Sequence, residues 1–63
     1  MADIIKYFKY AHLPVKLQIV SQQLCEVAER LNADLPESAE KTAGLRKLLE
    51  AKDCFVRAEL DRS

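Results

Sequence analysis

Nucleotide recognition requires a flat aromatic face on which a base can stack, together with cations or N–H donors at the phosphates. The run Lys6-Tyr-Phe-Lys-Tyr10 offers both ingredients within a few residues, and His12 follows it. Three of the chain's four aromatic residues, Tyr7, Phe8 and Tyr10, stand here. The same residues also suit a packed seal over the end of a small core. Ile4, Ile5 and Phe8 share a face at helical spacing, which fits Phe8 to packing. Tyr7 and Tyr10 share another face, and each carries a hydroxyl that wants water or a polar partner. Tyr10 is therefore the stronger candidate for contact with a ligand, with Tyr7, Lys9 and Lys16 as neighbours. Packing and ligand contact both remain open for this cluster.

A second constellation is Glu40-Lys-Thr-Ala-Gly-Leu-Arg-Lys47. Glycine inside a helix costs about 1 kcal/mol relative to alanine, so Gly44 calls for a reason such as close approach of a backbone or a ligand. Thr42 and Arg46, four apart, would receive a phosphate or a base edge beside Gly44, with Lys47 adjacent. The competing reading is that Gly44 lets two helices of an oligomer cross closely while Arg46 pairs with Glu50. Catalysis has little support. The single histidine has no nucleophile that sequence reasoning can pair with it, there is no Gly-rich phosphate loop, and Cys25 follows Leu24 without a reactive context. Glu37, Glu40 and Glu50 alternate with Lys41, Arg46 and Lys47 as a solvated helix face does. One His and two distant Cys do not make a four-ligand zinc site. Neither an enzyme nor a cofactor is expected.

The chain of 63 residues leaves room for one domain spanning positions 1–63. Ten basic and ten acidic residues cancel, which argues against a DNA or RNA polymer held by a broad basic field. Three lysines and one aspartate nevertheless make the first 25 residues positive and leave the remainder negative. A hydrophobic content of 49% is enough for a core, so disorder is not expected. Cys25 and Cys54 do not form a secreted disulfide framework, and no apolar run of about 20 residues suggests a membrane span. A reducing cytoplasm is the default expectation. A lone core of this size seldom supplies more than roughly 3–5 kcal/mol without a disulfide, a metal or self-association. Self-association is the helper left.

Two prolines, Pro14 and Pro36, divide the chain into elements that could position these residues. Leu13, Leu17, Val20, Leu24, Val27 and Leu31 recur at alternating spacings of four and three, the seam of a first long helix with Pro14 in its first turn. Asn32-Ala-Asp-Leu-Pro36 ends it, and either Asp34 or Ser38 can cap a second long helix over about 37–60. Asp53–Arg57 and Arg57–Asp61 are favourable pairs within it. Asp3 can cap a short N-terminal helix. The fold class is thus all-α: a short N-terminal helix plus an antiparallel two-helix hairpin, assembled into a homo-oligomer. The second helix makes assembly expected. Leu45, Leu49, Val56 and Leu60 lie on one flank, Leu48, Ala51, Phe55 and Ala58 on the next, and the combined arc of roughly 200° exceeds what one partner helix covers. Ile19, on the far side of the first helix, is either part of such an interface or a scattered exposed residue.

Tyr10-Ala-His-Leu13, Pro36-Glu-Ser-Ala-Glu-Lys-Thr42 and Gly44-Leu-Arg-Lys-Leu-Leu-Glu-Ala-Lys-Asp-Cys-Phe-Val-Arg-Ala58 together resemble the phage anti-CBASS family of cyclic-nucleotide sponges. The resemblance implies a small helical hairpin assembled into a hexamer. It would sequester cyclic di- and trinucleotide second messengers, such as cGAMP and cyclic triadenylate, in the host cytoplasm without cleaving them. It implies that Tyr10 stacks on a base of a cyclic dinucleotide, with Leu13 closing the motif. A separate trinucleotide site would fall on Thr42 to Lys47, with Arg46 at a phosphate or base. The family's phosphate-contacting lysine aligns near Gln22 to Leu24, where this sequence has no cation, so Lys9 or Lys16 would have to substitute. The alternative function is a small helical interaction module whose apolar flank docks on a host or phage protein.

Overall fold

The structure, a computed structural model, describes residues 4–62. Asp3 lies outside the described residues. A short 3₁₀ helix, Ile4–Phe8, precedes two long helices, α1 (Val15–Asp34) and α2 (Ala39–Leu60), and no strand occurs among the described residues. The all-α hairpin with an N-terminal helical segment is thus present, that segment being 3₁₀.

Pro14 sits just outside α1 rather than in its first turn. Its ψ of 151° is extended, and its carbonyl accepts from the Leu17 and Gln18 amides at 2.9 and 3.0 Å. An N-cap needs this extended backbone, and a proline side chain cannot itself cap. The Gln18 side chain instead donates backwards from Nε2 to the carbonyls of Leu13, at 2.7 Å, and Ala11, at 3.4 Å. This pins the turn that the Leu13 amide closes on the Tyr10 carbonyl at 3.0 Å. Leu13 therefore lies before the helix, not in it.

At the other end Leu35 is extended, as the residue before Pro36 prefers. Of the two candidate caps, Ser38 caps α2, its Oγ accepting from the Lys41 amide at 3.0 Å. The four-residue connection between Asp34 and Ala39 holds the helices as antiparallel neighbours. Lys41 ties it down: its ammonium donates to the Asn32 carbonyl at 2.8 Å, the Leu35 carbonyl at 2.9 Å and Glu37 Oε1 at 2.7 Å. Only 7% of this side chain is exposed, so its charge sits desolvated against carbonyls at the C-terminal end of α1, where the helix dipole favours a cation. The Lys41 hydrogen bond and charge hold the exposed Glu37 carboxyl below its usual range. That contribution is present above the unfolded carboxyl's range and fades as pH falls through the lower folded value.

The hairpin seam sets three small side chains between two leucines. Leu17, Ser21, Cys25 and Ala28 are the buried residues of α1, and Leu45 is the buried residue of α2. Phe8, with no exposed surface, packs with Cys25, Ala28 and Leu45, while Ile4, Ile5, Tyr10, Leu24, Leu48 and Leu49 surround them partly buried. Of the seam expected at Leu13 to Leu31, Leu17 is buried and Leu24 packs partly buried against the core, while the rest of the buried line is displaced. The buried line lies about 80° round α1 from the centre of the Val20–Leu31 stripe, and Val27 and Leu31 remain 40% and 41% exposed. The physical reason is space: a tight connection brings the axes close, small residues fit between them, and Phe8 fills the remaining gap. In place of the two expected ion pairs, Asp53 pairs with Lys52 at 3.2 Å and Arg57 donates a hydrogen bond to Cys54 Sγ at 3.3 Å.

Ser21 Oγ is fully buried and has no hydrogen-bond partner. An unsatisfied buried hydroxyl costs roughly 1–3 kcal/mol, and alanine is the better helix former. Ser21→Ala should therefore raise the free energy of unfolding by about 1 kcal/mol in urea titration; a loss of stability would show that the hydroxyl has a partner in solution. Lys41→Met keeps the stem but removes three charge-assisted bonds, and should lower stability by roughly 1.5–3 kcal/mol in the same assay.

Candidate functional site

The Tyr10–Leu13 turn carries the first candidate group. Tyr10 is half-buried against the Phe8 cluster, whereas Tyr7 is 58% exposed with the Lys6 ammonium 5.3 Å from its ring centroid, a cation–π distance. Lys9 immediately precedes the turn and Lys16 lies in the first turn of α1, both exposed. Lys9 is near enough to Cys25 for its charge to oppose the rise in that thiol's pKa. The expected division of labour among the aromatics holds for Phe8, which packs, and for Tyr7, which does not. Tyr10 does part of both. It packs against the core cluster yet stays partly exposed, next to Lys9 and a few residues before Lys16.

The second constellation is divided. Two residues along an α-helix are about 200° apart, so Gly44 cannot share a surface with Thr42 or Arg46. Thr42 is half-buried and Arg46 exposed on one side of α2. Gly44 and Lys47 instead line a groove of about 390 Å³ with Leu31, Leu35, Glu40, Lys41, Leu45, Leu48 and Ala51. The surface expected to join Thr42, Arg46 and Gly44 is thus not formed, because helical geometry turns the glycine away. A groove of about 380 Å³ lies further along the hairpin, between Val20, Gln23 and Leu24 of α1 and Phe55, Ala58 and Glu59 of α2, with Arg62 beyond. Each groove is a shallow trough along the helix pair, and a small anionic ring needs more walls than either provides.

Two residues that govern these positions escaped sequence reasoning. Gln18 fixes the Tyr10 turn, and Lys41 fixes the connection beside Gly44. A glutamine four residues after a proline and a lysine three after a capping serine carry no distinctive signature, since both act on backbone carbonyls whose positions are tertiary facts.

Both cysteines are free, Cys25 buried and Cys54 exposed. Burial first, and then the Glu29 carboxylate one turn away, push the Cys25 thiol up. Among the described residues no three of His, Cys, Asp and Glu group as a metal site would require. No described helix is long and apolar enough to cross a membrane. No protein-family model, no curated protein and no solved structure matches the chain.

The two thiols should separate cleanly on labelling. At neutral pH, with a chromogenic disulfide reagent, one thiol per chain should react promptly, and peptide mapping should place it at Cys54. Cys25 should react only in denaturant or at more alkaline pH; equal rates in the native protein would contradict its burial.

Proposed function

We propose that the chain is a non-enzymatic binder of cyclic di- and trinucleotide second messengers. In this reading it is a phage-encoded sponge of the anti-CBASS type that acts in the host cytoplasm as a homo-oligomer, with a hexamer as the family resemblance implies. The observation that carries the reading is Tyr10, an aromatic side chain braced against the core on a turn pinned by Gln18 and flanked by Lys9 and Lys16. A braced ring loses little freedom when a base stacks on it, and base–aromatic stacking contributes roughly 1–3 kcal/mol per base. The two exposed lysines supply positive charge for the phosphates of such a ring, and Tyr7 offers a second exposed aromatic face. Arg46 and Thr42 form a separate polar surface on α2, while Gly44 and Lys47 belong to the groove. Neither groove closes around a ligand within one chain, so walls from other copies are part of the proposal.

A second reading, a helical module that docks on a host or phage protein, is favoured by one observation. Val27, Leu31, Leu35 and Phe55 leave an apolar strip half-open to solvent.

Isothermal titration with 3′,3′-cyclic dinucleotides and cyclic triadenylate tests the first reading. Binding should be measurable, should weaken as salt rises because exposed phosphate contacts are screened, and should fall about tenfold or more in Tyr10→Ala. Absence of heat or thermal shift across the whole panel would overturn it. Loss of helical circular dichroism in Tyr10→Ala would instead assign the ring to packing.

A further inference from the structure

We infer that the segment 4–13 is a strap that lifts from α1 and α2 as one unit while the hairpin stays folded, and that a ligand held at Tyr10 keeps it shut. Strap and hairpin are held by different bonds. The Pro14 carbonyl accepts from the Leu17 and Gln18 amides, so α1 begins without help from the residues before it. The Ser38 cap and the three Lys41 bonds close the hairpin at its connection, and none of them involves the strap. Within the strap, the 3₁₀ turn of Ile4–Phe8 has the poorer hydrogen-bond geometry of its kind, and the Lys9 amide reaches the Lys6 carbonyl at a long 3.4 Å.

An apolar anchor and a polar tie seat the strap on the hairpin. Phe8, with no exposed surface, packs with Cys25 and Ala28 of α1 and Leu45 of α2, and Ile4, Ile5 and Tyr10 lie around it. Gln18 reaches back from α1 to the Ala11 and Leu13 carbonyls at 3.4 and 2.7 Å. Elements that draw on separate interactions open separately, and the one with fewer opens first. Lifting the strap breaks the Gln18 tie and uncovers Cys25, against which Phe8 packs. Both long helices keep their own hydrogen bonds.

Tyr10 couples this motion to the proposed function, on which the inference rests for the identity of the ligand alone. The ring packs against the Phe8 cluster, and the turn that carries it belongs to the strap. A base stacked on the ring, with phosphates between Lys9 on the strap and Lys16 on α1, would join the two parts. Such a ligand meets its full set of contacts only with the strap seated, and a ligand that favours one state shifts the population towards it.

Labelling of Cys25 in the full chain with a thiol reagent, at urea concentrations below the loss of helical circular dichroism, reads the opening. The exposed Cys54 is counted separately by peptide mapping. Cys25 should become reactive while helical content is still intact. Gln18→Ala should speed that reaction about fivefold, the effect of losing one such bond, without lowering the midpoint of helix loss, because alanine is the better helix former. Gln23→Ala, which removes a side-chain bond to the Ile19 carbonyl within α1, should leave the rate unchanged. Saturating 3′,3′-cGAMP should slow the reaction about tenfold or more. Reactivity of Cys25 that appears only as the helices are lost overturns the inference, because strap and hairpin then open together. Equal rates in Gln18→Ala and Gln23→Ala overturn it too, since the route to Cys25 is then not the strap. Heat of binding with no slowing of Cys25 overturns the inference and leaves the proposed function standing. No heat from any cyclic nucleotide, with Cys25 still reactive early and faster in Gln18→Ala, overturns the proposed function alone.

Discussion

The close approach of two helices across small side chains is the constraint on which the rest of this structure depends. Ser21, Cys25 and Ala28 occupy so little volume that α1 and α2 can lie near each other over a four-residue connection, and Phe8 fills the space left at the edge of that contact. Larger residues in the seam would separate the axes and expose the gap that Phe8 fills. Everything bulky is displaced to the flanks by this choice. The N-terminal segment covers one flank with Ile4, Ile5 and Tyr10, and the other flank stays half-open.

Polar side chains do the work that loops of more punctuated proteins leave to glycine. Gln18 holds the turn before α1 through two carbonyls, and Lys41 holds the connection after it through two more. Both satisfy backbone acceptors near helix ends, where unpaired groups are otherwise left to water. The first brace also fixes Tyr10, so the residue with the best claim to ligand contact is positioned by the same bonds that start α1. Site and fold are coupled at that point. The unsatisfied hydroxyl of Ser21 is the opposite case, a cost carried inside the seam with no compensating bond.

The two candidate regions differ in kind. Around Tyr10 the arrangement is aromatic and cationic, suited to a planar anion. Along Val20–Leu31 and Gly44–Ala58 it is apolar and periodic. The resemblance to cyclic-nucleotide sponges draws on residues in both. A single chain of this shape presents troughs rather than an enclosed pocket, so a messenger-binding role and self-association stand together in the proposed function.

The sequence alone determined the number of elements, their type and their approximate ends. Pro14 and Pro36 restrict their neighbours locally, Ser38 caps locally, and the three- and four-residue spacings are properties of a helix whatever it packs on. It also assigned Phe8 to packing, since Ile4, Ile5 and Phe8 fall on one face. The tertiary structure alone decided which apolar line became the seam, because two lines of α1 compete and only side-chain volume against axis separation ranks them. It parted Gly44 and Lys47 from Thr42 and Arg46, a separation that helical angle makes inevitable but that only the position of α1 turns into a groove. It gave Gln18 and Lys41 their roles as well, since the carbonyls they hold are brought within reach only when the hairpin closes.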